Sequence, residues 1–122
     1  MMSSVINTVL IIFVVLFIFS RFTPVKGVNQ MTTDELRKKM NVKNNKVQYI
    51  DVRTQAEFKA NHIKGFKNIP LHQIVNKANA LNKEQEVILI CRSGNRSMQA
   101  AKRLKKLGFK TIYNVKGGMN AW

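Results

Sequence analysis

A single cysteine, Cys91, stands among the 122 residues. Without a second thiol the chain holds no internal disulfide, no CxxC redox pair and no cysteine zinc cluster, and a lone thiol suits a reducing compartment. Chemistry at Cys91 would have to proceed without a resolving partner in the chain. Acidic residues are scarce too: six Asp and Glu stand against 21 Lys and Arg, a formal net charge of +15. Such a field favours anionic partners, whether membrane surfaces, nucleic acid or small oxyanions. Most lysines stand singly (Lys43, Lys46, Lys59, Lys64, Lys67, Lys77, Lys83) and read as a solvated face. The one cluster, Lys102, Arg103, Lys105 and Lys106, has no aromatic platform or nucleic-acid motif beside it, so nucleic acid is not an expected partner. Internal repeats and low-complexity tracts are absent. The length has room for one domain, and a hydrophobic content of 45% belongs to a folded chain, not a disordered one.

The first twenty residues carry no charge, and residues 9–19 read VLIIFVVLFIF without interruption. As a helix, twenty residues rise about 30 Å, the thickness of a bilayer's hydrocarbon core, while the strictly apolar stretch alone rises about 16 Å. Two readings fit: a membrane anchor, or the apolar region of a cleaved signal peptide. A signal peptide would carry a basic start and a small-x-small cleavage site, and neither is present, which favours a retained transmembrane anchor over residues 1–21. Arg21 and Lys26 follow the run, so the positive-inside rule expects a single-pass protein of the cell membrane, its C-terminal domain facing the cytoplasm and its membrane partner reached through the N-terminal helix.

Residues 22–27, with Pro24 and Gly27, read as a linker, leaving 28–122 as the folded domain. Thr32 through Glu35 carry a capping-box pattern opening a helix to about Met40; KVQYIDV reads as a strand; Thr54 with Glu57 is a second capping box opening a further helix. A short strand is expected at NIP, then a helix over 70–81 with Leu71, Ile74, Val75, Ala78 and Leu81 at helical spacing. VILIC is the pattern of a strand buried on both faces. A helix beginning at Ser97 places Ala101, Leu104 and Leu107 inward and stops at Gly108; TIYNV is a further strand and KGGMNAW a terminal turn. Strands alternating with helices imply an α/β domain with a mainly parallel sheet.

Ligands in such sheets bind beyond the carboxyl ends of the strands, and Cys91 closes the strand with the strongest burial signal. The residues after it, Arg92, Ser93, Gly94, Asn95 and Arg96, form a small polar loop. Gly94 allows successive N–H groups to turn inward as an anion-binding nest, and a helix start at Ser97 points its positive dipole at the same space. Loop amides, dipole and the charges of Arg92 and Arg96 together favour the thiolate of Cys91, a nucleophile in a site built for an anion with a transferable group. The plainer alternative is a buried cysteine packing as a small hydrophobe. His62 and His72 read as structural, since a thiolate held by dipoles needs no imidazole base.

These residues resemble a known family. YIDVRTQAEFKANHIKGFKNIPL is similar to the rhodanese signature, and CRSGNRSMQAAKRLKKLGFKTIYNVKGGMNAW is similar to its active-site loop, following helix and terminal Gly-Gly and Trp. The resemblance covers nearly all of 27–122 and implies a rhodanese-like α/β fold, a five-stranded mainly parallel sheet with helices on both faces. It implies sulfurtransferase chemistry, with Cys91 as nucleophile, residues 92–96 as the cradle, and Asp51, Arg53 and Ser97 in support, the first two mainly structural. Glu57 and His62 match the signature without a required chemical role. The implied partners are a small-molecule sulfur donor and an external thiol, protein or cyanide acceptor; no metal or organic cofactor is indicated. Two other functions are consistent with the same fold: a non-catalytic docking or regulatory module, and a phosphatase or arsenate reductase. Phosphatases of the cell-division-cycle type use a loop one residue longer than the four residues between Cys91 and Arg96.

Overall fold

The central strand explains the rest of the domain. Val87–Ile90 (β4) is VILI, with all four side chains buried, so the strand must be covered on both faces and paired on both edges. It pairs in parallel with Gln48–Asp51 (β2) on one side and Ile112–Val115 (β5) on the other. Val28–Met31 (β1) adds to β5 and Lys67–Asn68 (β3) to β2, giving the all-parallel order β1-β5-β4-β2-β3. The computed structural model describes residues 2–22, 27–43 and 45–122. The linker expected over 22–27 therefore lies, for residues 23–26, outside the described residues.

Because side chains alternate along a strand, β4 feeds two cores. Val87, Leu89 and, one residue past the strand, Cys91 share a face with Ala100, Ala101 and Leu104 of the helix Asn95–Lys106 (α5) and with Ile74 of the short helix Ile74–Lys77 (α4). Ile88 and Ile90 point the other way, to a cluster with Leu36 of Thr33–Met40 (α2), Phe66 and, at its margin, Trp122. The α/β domain with a parallel sheet expected from sequence is the one observed. Both helix starts marked by threonine are real: Thr32 accepts the Glu35 N–H, and Thr54 with Glu57 completes a capping box opening Gln55–Ala60 (α3).

Three expectations are corrected. The helix over 70–81 is broken into 3-10 turns at Leu71–Gln73 and Ala78–Ala80 around the single turn of α4. Its apolar positions 71, 74, 78 and 81 step by three, four and three: the two steps of three coincide with the 3-10 turns, where side chains three apart superimpose, and the step of four with the α-helical turn. Helix α5 begins at Asn95, two residues before Ser97, because Gly94 takes the N-cap in a left-handed conformation, φ 102°. The terminal turn contains a helix, Gly118–Ala121 (α6).

The N-terminal segment forms the helix Met2–Phe22 (α1), whose apolar residues between Val5 and Ile18 are exposed. Among the described residues no helix is long and apolar enough to cross a membrane, so the transmembrane anchor expected over 1–21 becomes, as a structural statement, an exposed apolar helix. The helix has 21 residues, but Ser3, Ser4 and Asn7 interrupt its first turns, and the uninterrupted apolar run rises only about 16 Å, roughly half of a hydrocarbon core.

Candidate active site around Cys91

All five strands point their carboxyl ends to one edge, and Cys91 sits there as the first residue after β4. The Val52 N–H donates to the Ile90 carbonyl at 2.9 Å, which holds the end of β2 beside it. Cys91 belongs to the same sheet face as Leu89, so its sulfur meets the first turn of α5 rather than open solvent. The residue is 1% exposed, so the thiol is enclosed although a polar loop follows it. Its surroundings are nonetheless polar where the sulfur lies. The Gly94 N–H donates to Sγ at 3.0 Å, and the Ser97 hydroxyl stands 3.2 Å from it. Among the described residues these are the polar partners of the sulfur, so the nest expected from five residues contributes one amide. Gly94 can supply it because its left-handed backbone turns the N–H back toward the strand.

The other loop residues divide into two groups. Arg92, Ser93 and Asn95 are exposed and form the outer rim. Arg96 is turned toward α3, where it donates to both oxygens of Glu57 at 2.6 and 2.9 Å. Glu57 also accepts from the Thr54 amide and hydroxyl, each at 3.1 Å. The Arg96 hydrogen bond, against the opposing effect of burial, pulls the Glu57 carboxyl down to about 2. Glu57 in turn holds the Arg96 guanidinium above its usual range, with smaller electrostatic help from Asp51. The cradle arginine is thus neutralised locally yet remains within electrostatic reach of the sulfur. Glu57, which matched the signature without a role, proves to be its anchor.

Asp51 and Arg53 form a buried pair. Arg53 donates from Nε and Nη2 to the carboxylate, the latter at 2.8 Å, while its own amide donates to Oδ1 at 3.0 Å. Nη2 also donates to the Asn61 carbonyl at 2.6 Å, tying the end of α3 to the end of β2. Both residues thus brace the framework beside the loop. His62 is structural as well, with Nδ1 2.8 Å from the Phe58 carbonyl and its ring stacked on Phe58. His72 instead lines a groove of about 240 Å³ with Val52, Thr54, Leu71, Arg96 and Arg103, which opens beside the loop.

Sequence reasoning missed two contributions. The first is a clamp from α6: the Met119 amide donates to the Cys91 carbonyl at 2.8 Å and the Asn120 amide to the Arg92 carbonyl at 2.9 Å. Gly118 makes this approach possible, for a Cβ there would lie 2.3 Å from the Cys91 oxygen. The adjacent pair Gly117 and Gly118 was the available signal. Trp122 closes the segment under the Arg37 guanidinium, 3.8 Å from its ring centre. The second is a chain of side chains behind the sulfur. Ser97, fully buried, donates to Asn114 Oδ1, and Asn114 Nδ2 donates to Gln30 Oε1 at 3.0 Å.

Comparison with known proteins places these features in context. The family described as Rhodanese-like domain matches residues 32–122. The sulfurtransferase of Allochromatium vinosum is 32% identical over 95 residues, 78% of this chain and 88% of that protein. The uncharacterized protein YqhL of Bacillus subtilis is 44% identical over 77 residues, 63% of this chain and 61% of that protein. The crystal structure of a rhodanese-like domain protein from Staphylococcus aureus superimposes with a TM-score of 0.71 at 36% identity, covering 77% of this chain and 90% of that one. Some relatives are much longer: the chain spans 40% of a second Bacillus subtilis protein that is 45% identical over 73 residues.

Proposed function

The chain belongs to the rhodanese-like domain family, and from that premise we propose that it is a sulfurtransferase working through a persulfide on Cys91. The observation that carries the reading is the placement of the one thiol at the carboxyl end of the central strand, with the Gly94 N–H directed at its sulfur and Ser97 Oγ 3.2 Å from it. In the first half-reaction the Cys91 thiolate attacks the outer sulfur of an anionic donor such as thiosulfate. The new S–S bond forms as the donor's S–S bond breaks, and its electron pair leaves with sulfite. The terminal sulfur of the persulfide carries negative charge, which the Gly94 amide and the nearby Arg96 guanidinium stabilise. In the second half-reaction an external thiolate or cyanide attacks that terminal sulfur, and the Cys91 thiolate departs. Since the thiol is buried, the loop after Cys91 must open for the donor to enter. The groove lined by Arg96, His72 and Arg103 is the natural approach for an anion. Thiocyanate formation from thiosulfate and cyanide tests the reading: turnover by the native chain and none by Cys91→Ser supports it, and equal background rates overturn it.

One observation favours a second reading. A thiol that is 1% exposed and packed in the main core cluster is also what a non-catalytic docking or regulatory module would present. Such a module would bind its partner through the exposed rim and would take up no sulfur. The phosphatase or arsenate reductase alternative predicts hydrolysis of an aryl phosphate or reduction of arsenate, and failure of both removes it.

We also propose that α1 holds the domain at the cytoplasmic face of the cell membrane. Support comes from the exposed apolar side chains of α1 and from Arg21 and Lys26, which follow its apolar run in sequence. Recovery of the full chain in the membrane fraction after carbonate washing, and its protection from protease added outside intact cells, are the expected results. A freely soluble chain would refute attachment.

A further inference from the structure

The hydroxyl of Ser97 has one proton and two claimants. In the structure it donates to Asn114 Oδ1, so the short contact with Cys91 must be made by the sulfur's own proton, S–H to Ser97 Oγ. Asn114 is 3% exposed and its amide is held in this sense by the bond from Nδ2 to Gln30 Oε1 at 3.0 Å. Gln30 is exposed, and its own amide nitrogen is satisfied at 3.2 Å by the Met98 sulfur, a weak acceptor. The four groups therefore form a directional chain running outward from Cys91 to the surface edge strand β1.

We propose that Asn114 and Gln30 are positioning residues that set the direction of the Ser97 proton and thereby the ease with which the Cys91 sulfur becomes an acceptor of hydrogen bonds. The proposal rests on the reading that Cys91 is the reacting atom. When the thiol proton leaves to solvent, the sulfur needs a donor in place of an acceptor. Ser97 supplies it by turning its O–H to Sγ, which leaves Asn114 Oδ1 buried without a donor unless the amide rotates by half a turn. After that rotation Nδ2 donates to Ser97 Oγ, and Oδ1 accepts from Gln30 Nε2, released from Met98. No proton travels along the chain; each link reverses, and the thiol's own proton is the one exchanged with water. The same reversed chain serves a persulfide, whose inner sulfur also lacks a proton. Charged groups around the sulfur are paired separately, Arg96 with Glu57 and Asp51 with Arg53, while Arg92 is exposed, so substitution at 114 leaves those charges in place.

The test is the pH dependence of Cys91 alkylation by iodoacetamide in the full chain. Asn114→Leu removes the competing acceptor, so the Ser97 proton serves the sulfur alone. The half-maximal pH should fall, making alkylation at pH 7 roughly three- to tenfold faster with the high-pH plateau unchanged, the size expected of the net contribution of one ordinary hydrogen bond. In a Ser97→Ala background the same substitution should change nothing. A plateau that rises with no movement of the midpoint would mean simple loosening of the core and would overturn the proposal, as would an equal acceleration without Ser97. Should Asn114→Leu fail to fold, Gln30→Leu at its exposed site must shift the midpoint in the same direction by a smaller amount; an unmoved midpoint there is refuting. Alkylation needs no sulfur donor, so failure of thiosulfate to load the native chain would sink the sulfurtransferase reading and leave this result standing.

Discussion

Replacing Gly118 by alanine should unfasten the sulfur-bearing loop. A Cβ at this position would lie 2.3 Å from the Cys91 carbonyl oxygen and 2.8 Å from the Arg92 carbonyl carbon and oxygen, all of them backbone atoms unable to rotate away. Restoring ordinary contact requires the loop and α6 to separate by about 1 Å, which breaks or stretches the bonds from Met119 and Asn120 to the two carbonyls. Two such bonds contribute about 1–3 kcal/mol, and the left-handed backbone of Gly118, φ 56°, adds about 1–2 kcal/mol of strain for alanine. Together the loss is about 2–5 kcal/mol, a large part of the stability of a domain this size. Gly108→Ala is the matched control, since Gly108 is also left-handed, φ 96°, but a Cβ there meets nothing within 4 Å. Urea denaturation of the two variants separates strain from clash. Gly118→Ala should lose at least about 1 kcal/mol more than Gly108→Ala and also lose sulfur uptake. Equal losses with sulfur uptake intact would refute the clamp.

The remaining predictions concern the ion pairs and the loop. Glu57 has its carboxyl lowered from 4.5 to about 2, so its contribution is present above pH 4.5 and disappears as pH falls toward 2. Glu57→Gln should therefore be less stable than the native chain by about 1–2 kcal/mol at pH 7, discounted for partial exposure, with the gap closing across that acid window; a gap independent of pH would contradict the pairing. Arg53→Met strands the Asp51 carboxylate at 0% exposure and should cost about 3–5 kcal/mol in chemical denaturation; a loss under 1 kcal/mol would mean the pair is dispensable. Gly94→Ala disfavours φ 102°, and relaxing that angle swings the amide away from the sulfur, so persulfide formation should slow by roughly tenfold or more in stopped-flow mixing with thiosulfate. An unchanged rate would show that this amide does not face the developing charge.

Much of this architecture is written in local patterns. Four consecutive aliphatics at 87–90 announce a strand covered on both faces, and Thr54 with Glu57 marks the start of α3 because the reciprocal cap is a matter of two side chains three residues apart. β1 was invisible for the opposite reason. VNQM at the sheet's edge buries its two ends and exposes Asn29 and Gln30, so it shows neither alternation nor a continuous apolar run. Its existence depends on pairing with β5, more than eighty residues away. The site divides in the same manner. Cys91, the glycine of its loop and the helix that follows are contiguous and were legible, although the helix began earlier than expected because glycine can cap as well as break. The partner of Arg96 lies 39 residues distant, and those of Ser97 and Cys91 include groups in β5 and α6. Such contacts follow from the order of strands, which no window of neighbouring residues contains. The burial of the thiol is a further case. The polar loop suggested exposure, whereas strand alternation through Val87 and Leu89 already directs residue 91 toward α5.

Intact mass of the full chain before and after exposure to thiosulfate tests the central claim most directly. The account predicts that the native protein gains one sulfur atom, lost again on addition of a thiol reductant, and that Cys91→Ser gains none while remaining folded. A native chain whose mass never changes, with its thiol still free to react once the protein is unfolded, would contradict it.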